Sequence, residues 1–255
     1  MDFLVSANTD IGIKKDTNQD GLSVKVIHTP QGKAVFGILC DGMGGLSSGE
    51  VASTTVISAF NDWVASKLPE LFKKGINDAD VRGQWEQIVL NLNENIQKYG
   101  DKKGIKLGTT AVIMLITQTR YYVLNIGDSR AYEIFDMVHQ ITEDQTFIAR
   151  EIKLGRMTPE QAKTDPRRNV LLQCVGASEE IYPDMFFGDV KKNAVYMMCS
   201  DGFRHEITND EIYEKFQPSV LTDTNAMNNN SRFLIELNKQ RSEKDNISVL
   251  LIRTY

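Results

Sequence analysis

Five aspartates border apolar runs, and four of them have glycine as a neighbour. The stretch GILCDGMGG (37–45) runs from apolar residues into Asp41 and Gly42. YMMCSDG (196–202) ends on Asp201-Gly202, and VLNIGDSR (123–130) ends a third run with Asp128. EKDNISVLLI (243–252) sets Asp245 just before an apolar run, and TNQDG (17–21) sets Asp20 just before another. One Asp-Gly pair at a strand end is a turn signal. Five acids brought to one edge of a fold are a different matter. Like charges that close destabilise each other unless a cation sits among them. Oxygen ligands without a His or Cys cluster favour Mg²⁺ or Mn²⁺ over Zn²⁺. Glycine beside an acid lets the backbone come close and offer a carbonyl.

Other catalytic templates fail. A cysteine-phosphatase loop needs Arg six positions after its Cys. Those positions hold Leu46, Glu180 and His205. There is no Walker loop ending in Gly-Lys-Ser/Thr and no Gly-x-Ser-x-Gly elbow. His28, His139 and His205 are the three imidazoles, and none has metal-ligand spacing. They read as surface or packing residues, with His205 set apart by its place four residues past Asp201. Cys40, Cys174 and Cys199 are too scattered for a disulfide framework or a zinc knuckle and read as buried thiols.

The acids need elements to hold them. Stretches rich in Val, Ile, Tyr and Thr predict strands at 3–7, 22–28, 34–40, 109–117, 120–126, 131–135, 194–199 and 246–252. Two amphipathic helices fall between the third and fourth. One carries Val51, Thr55, Val56, Ala59, Phe60 and Trp63 on a face, and the other Trp85, Ile88, Val89, Leu92, Ile96 and Tyr99. Shorter helices are predicted at 145–154, 159–163, 209–216 and 231–241. Thr158, Pro159 and Gln161 form a helix start signal. Residues 218–231 are polar and read as a loop. Adjacent strand pairs with grouped helices predict an α+β fold of mostly antiparallel sheet with helices packed outside.

The 255 residues suit one large domain or two small ones, with 41% hydrophobic and 25% charged residues. A net charge of −5 argues against nucleic acid or an anionic membrane as the main partner. The longest apolar runs, such as AVIMLI (111–116), are strand-sized, far below the ~20 residues of a membrane span. MDFLVSANTD has no basic start and no apolar signal core, so the expected location is cytoplasmic.

Taken in order, VFGILCDGMGGLSSGEVAS, LGTTAV, NIGDSRAY, YMMCSDGF and DNISVLLI resemble the motifs of metal-dependent type 2C Ser/Thr protein phosphatases, especially the compact bacterial branch. TEDQTFIAREIKLGRMTPEQAKTDPRRNVLLQCVG (142–176) is similar to the family's stretch around the flap beside the active site. The resemblance covers essentially the whole chain. It implies a single domain over 1–255, a four-layer α-β-β-α sandwich and a flap over about 145–176. It implies two Mn²⁺ or Mg²⁺ ions at the sheet edge. Asp41 would bridge both ions, and the Gly42 carbonyl would bind one. Asp201 and Asp245 would complete the other, and Asp20 would act through a metal-held water. Asp128 matches the acid that, with Asp201, holds a third ion in bacterial members. The implied reaction is in-line attack of activated water on phosphoserine or phosphothreonine, with no phosphoenzyme. The implied partners are phosphorylated proteins and a cognate Ser/Thr kinase, with the chain itself a monomer.

Three departures stand out. Lys15 occupies the place of the family's phosphate-binding Arg, so the bidentate fork is lost. Lys14 is its neighbour and alternative. Gln19 replaces the usual Glu before Asp20. Met43 and Leu46 stand where relatives often carry a His, which leaves a metal-held water as the proton donor. The alternative function is a catalytically weak phosphatase-like module that binds phosphoproteins or regulates. Retention of Asp41, Asp201 and Asp245 favours the enzyme.

Overall fold

The structure is a computed structural model that describes residues 1–44 and 48–255. Three strands come first, β1 (Phe3–Asp10), β2 (Asp20–Thr29) and β3 (Gly32–Gly44). Three helices follow, α1 (Gly49–Ser66), α2 (Leu68–Lys74) and α3 (Asp78–Lys103). The middle of the chain is β4 (Leu107–Thr109), β5 (Ala111–Ile116), β6 (Arg120–Ile126), β7 (Arg130–Ile134) and β8 (Val138–Gln140). Then come α4 (Phe147–Lys153), α5 (Pro159–Ala162), β9 (Asp184–Asp189) and β10 (Val195–Cys199). The last elements are α6 (Asp201–Arg204), α7 (Asn209–Phe216), α8 (Thr224–Gln240) and β11 (Ile247–Thr254).

The strands form two sheets, in the orders β1-β11-β10-β7-β8 and β2-β3-β5-β6-β9, with β4 added to β3. Every strand pair is antiparallel. The central strands are apolar on both faces because both faces are covered. Along β3, Phe36, Ile38 and Cys40 pack with Phe60, Trp63 and Trp85 of α1 and α3, while Val35 and Leu39 join the layer between the sheets. Along β11, Val249 and Leu251 pack towards α7 and α8, while Leu250 and Ile252 face the same central layer. Three apolar layers therefore alternate with four layers of secondary structure, the α-β-β-α sandwich that the family resemblance implies.

Local signals decide the helix ends. The Thr158 hydroxyl accepts from the Gln161 amide at 3.2 Å, and the Thr158 amide donates back to Gln161 Oε1 at 2.8 Å. That reciprocal box starts α5 where the sequence predicts it. The predicted loop at 218–231 is corrected, because α8 begins at Thr224. Asp223 caps it by accepting from the Ala226 amide at 2.8 Å; Asn225 and Asn229 face solvent, Asn228 accepts from Ser6 and Asn8 of β1, and Met227 and Ser231 are buried. The helix faces are also turned slightly from expectation. Val51 and Tyr99 are exposed, and small Ala52 and Ser53 face inward instead. Small residues there let α1 press close against β3. Three short strands, β4, β8 and β9, are additions to the predicted set. Cys40, Cys174 and Cys199 are buried free thiols. Among the described residues no helix is long and apolar enough to cross a membrane.

Candidate active site

The register of β2 on β3 sets Asp20 directly opposite Asp41. The Asp41 backbone is fixed on both sides. Its amide donates to Thr110 Oγ1 at 2.9 Å, and its carbonyl accepts from Thr109 Oγ1 at 3.0 Å and the Thr110 amide at 2.9 Å. Gly42 then passes against the start of α1. A Cβ on Gly42 would stand 2.4 Å from the Gly49 carbonyl oxygen and 2.6 Å from that of Gln19, so no side chain fits.

The other acids arrive from the second sheet. Antiparallel pairing of β10 with β7 and β11 brings the end of β10 beside the starts of the other two. Asp201 follows β10, Asp128 precedes β7 and Asp245 precedes β11. A Cβ on Gly202 would lie 2.2 Å from the Asn246 carbonyl oxygen, so this glycine permits the crossing of the two loops. Asp41, Gly42, Asp128, Asp201, Asp245 and Lys15 line one cleft of about 810 Å³. Asp20 lies beneath it, with both carboxylate oxygens buried.

Electrostatics show how crowded this edge is. Burial pushes the Asp41 carboxyl well above the usual carboxylate range, and the charges of Asp20 and Asp201 push it further. Burial raises Asp20 to about 7, with the nearby Ser248 and Ser200 hydroxyls opposing the rise and Asp201 and Asp245 adding to it. Neither hydroxyl closes a hydrogen bond to Asp20. Burial and the Asp201 charge raise Asp128 to about 6 against the pull of Arg204.

These donors fit a divalent cation. Among the described residues, both oxygens of Asp20 and Oδ1 of Asp201 are buried without a hydrogen-bond partner. Buried orphan carboxylate oxygens are costly, and an oxygen-seeking cation with its waters satisfies them. Also among the described residues, no three acidic, His or Cys side chains stand together as a complete metal cage. Mg²⁺-like ions ask for no such cage, since they keep several waters and take few carboxylates directly.

Lys15 is at the cleft mouth, its Nζ 2.7 Å from Asp245 Oδ1. Burial would lower its ammonium, but Asp245, Asp41 and Asp201 outweigh that and raise it, so it is charged. Lys14 is exposed and does not line the cleft. Gln19 lines it through a fixed backbone. Its amide donates to Asn246 Oδ1 at 2.9 Å, and its carbonyl accepts from Ser53 Oγ at 2.9 Å. Met43 also lines the cleft, whereas Leu46 and Gly45 lie outside the described residues.

Several residues of the site were not singled out from the sequence. Asn246 also donates to the carbonyls of Ile11 and Thr17, at 3.0 and 3.2 Å, and so holds the loop that carries Lys15. Its signal was its place beside Asp245. Arg204 follows the Asp201 motif and touches both Asp128 and Asp144. His205 stands with Nε2 3.5 Å from Asp201 Oδ2 and Nδ1 3.2 Å from Glu243 Oε2. It is therefore part of the site's surroundings, as its place four residues past Asp201 set it apart in the sequence. Residues of the predicted flap reach the cleft through Asn169, Leu171 and Leu172.

Carboxylates gathered at the edge of two packed antiparallel sheets, with a lysine at the mouth, define a class: hydrolases of phosphate esters that work with divalent ions. Residues 13–239 match the family described as Protein phosphatase 2C, and the chain belongs to that family. It is similar to the protein phosphatase PhpP of Streptococcus pneumoniae, 28% identical over 252 residues that cover 97% of this chain and 96% of that protein. Among solved structures it resembles the Streptococcus agalactiae serine/threonine phosphatase, with a TM-score of 0.84 and 26% identity over 99% of this chain and 100% of that one. It also resembles the catalytic domain of the serine/threonine phosphatase PstP solved in complex with two manganese ions. There the TM-score is 0.76 and the identity 26%, over 98% and 97% of the two chains.

Proposed function

We propose that Asp41, Gly42, Asp201 and Asp245 hold two Mn²⁺ or Mg²⁺ ions, with Asp20 acting through water, in an enzyme that hydrolyses phosphoserine and phosphothreonine in proteins. The observation that carries this is the pairing of Asp20 with Asp41 at the sheet edge, with both Asp20 carboxylate oxygens and Asp201 Oδ1 buried and unpartnered among the described residues. The family is one of protein phosphatases, and relatives of near-equal length are named as serine/threonine phosphatases.

When bound, two such ions activate the attacking water and neutralise the phosphoryl oxygens. The chain's own residues do the rest. The Asp41 backbone is held by Thr109 and Thr110, which fixes the point from which its carboxylate enters the cleft. Lys15 offers a charged N–H donor to a phosphoryl oxygen that faces the mouth of the cleft. The Asn246 clamp keeps the Lys15 loop in place. His205 bonds Glu243 and faces Asp201, which limits the swing of the Asp201 carboxylate. Residues 145–176 serve as the flap that admits phosphoprotein chains to the cleft. The family resemblance is the ground for reading the chain as a cytoplasmic monomer whose partners are phosphoproteins and an opposing Ser/Thr kinase, and the net charge of −5 disfavours nucleic acid as a partner.

Phosphate release from a phosphothreonine peptide tests the reading. Release is expected with Mn²⁺ and is abolished by EDTA. Equal release in chelated, metal-free protein would contradict it.

A further inference from the structure

Arg204 is charged, enclosed and unused by the reaction described above. It ends α6, three residues after Asp201, and its side chain is 12% exposed. Its Nη2 donates to the Asp128 carbonyl at 3.0 Å and lies 3.6 Å from Asp128 Oδ2. The same nitrogen is 3.5 Å from Asp144 Oδ2. Asp144 is gripped from its other side by Arg130, whose Nε and Nη2 each donate to it at 2.7 Å. A guanidinium keeps its charge at any pH the fold survives. The Asp128 side of the cleft thus carries a permanent cation of its own.

We propose that Arg204 stands in place of a third divalent ion at Asp128, so that the active site takes two ions and no more. The proposal rests on the reading of Asp41, Asp201 and Asp245 as holders of the two-ion site. A further ion on Asp128 would share that carboxylate with a guanidinium already within 4 Å of it. Repulsion between the two cations is strong where water is excluded. Arg204 cannot lose its proton to make room, as a lysine could. Its anchors are the Asp128 carbonyl and the Asp144 carboxylate, so swinging away would cost it both contacts and leave a guanidinium enclosed without them, while Arg130 went on holding Asp144. Asp128 then has a positioning role. It fixes Arg204, and through α6 it fixes Asp201.

Counting bound Mn²⁺ per chain tests this, by equilibrium dialysis and elemental analysis as Mn²⁺ is raised. The wild type is expected to saturate at two ions, and Asp128→Asn to leave that count at two. Arg204→Met, shown folded by circular dichroism, is expected to gain a third ion, which the Asp128→Asn/Arg204→Met double variant loses. A wild-type count of three that falls to two in Asp128→Asn would overturn the proposal while leaving the two-ion reading intact. A folded Arg204→Met variant that stays at two would overturn it as well. If Arg204→Met does not fold, the wild type and Asp128→Asn decide between them, since two ions in both supports the proposal and the loss of one overturns it. A wild-type count below two would overturn the two-ion reading and this proposal together.

Discussion

At the scale of single residues, the chemistry depends on a few side chains brought to one cleft. Lys15 is the sharpest case. A charge-assisted hydrogen bond from its ammonium to substrate is worth about 1.5–3 kcal/mol. Lys15→Ala is therefore expected to lower kcat/KM by roughly 10- to 100-fold, from steady-state kinetics on a phosphopeptide. Lys14→Ala should be nearly silent, because Lys14 faces solvent away from the cleft. Loss of activity in the Lys14 variant alone would mean that the loop presents the other lysine. The acids of the site were legible in the sequence because each borders an apolar run, usually with a glycine that the packing requires. Arg204, Asn246 and Glu243 were not, because adjacency to the Asp201 and Asp245 motifs is the sole mark they carry and it does not say what they touch. They gain meaning only when α6 and the turn before β11 fold against each other.

At the scale of elements, the turn before β7 and the root of the flap are joined by ion pairs. Burial alone would raise the Asp144 carboxyl, but the Arg130 fork and the Arg204 charge outweigh it and hold it below the usual carboxylate value. A depressed folded pKa contributes stability that is present above the unfolded value of about 4 and is lost as pH falls through the folded one. Asp144→Asn should therefore cost on the order of 3 kcal/mol near pH 7, towards the low end for a buried pair because Arg130 is 25% exposed. Urea unfolding at several pH values checks this, and the gap between variant and wild type should narrow below about pH 4. An equal gap at pH 7 and pH 3 would remove the Asp144 ion pairs from the account. Elements with strong local chemistry were readable, such as the Thr158 cap and the apolar runs of β3 and β10. The start of α8 was not. Its Asn-rich first turns look like loop until Asp223 is seen as a cap and Met227 as a core residue. β8 and β9 escaped for another reason. Both lie at sheet edges and are made strands by their neighbours rather than by their own composition, and β8 has only three residues.

At the scale of the whole molecule, the layer between the sheets holds the two halves of the acid edge in register. Asp20 and Asp41 come from one sheet, and Asp128, Asp201 and Asp245 come from the loops of the other. Leu250 sits fully buried in that layer. Leu250→Ala should lower stability by about 2–5 kcal/mol and the melting temperature by on the order of 5–15 °C. Activity per folded molecule well below the transition should be kept, since Leu250 touches no substrate. Calorimetry with activity measured on the same sample checks both. An antiparallel fold with helices outside was visible in the order of strands and helices and the sandwich came with the family resemblance, whereas the way its two sheets jointly frame one cleft required the structure. The central claim is that Asp41 is the shared holder of the metals on which catalysis depends. Its most direct test is a Mn²⁺ titration of turnover in wild type and Asp41→Asn. The wild type should rise from no activity to a plateau, and the variant should remain lower by roughly 100-fold or more even at saturating Mn²⁺. A folded Asp41→Asn enzyme that reaches the wild-type plateau, or a wild type indifferent to Mn²⁺ and Mg²⁺, would contradict it.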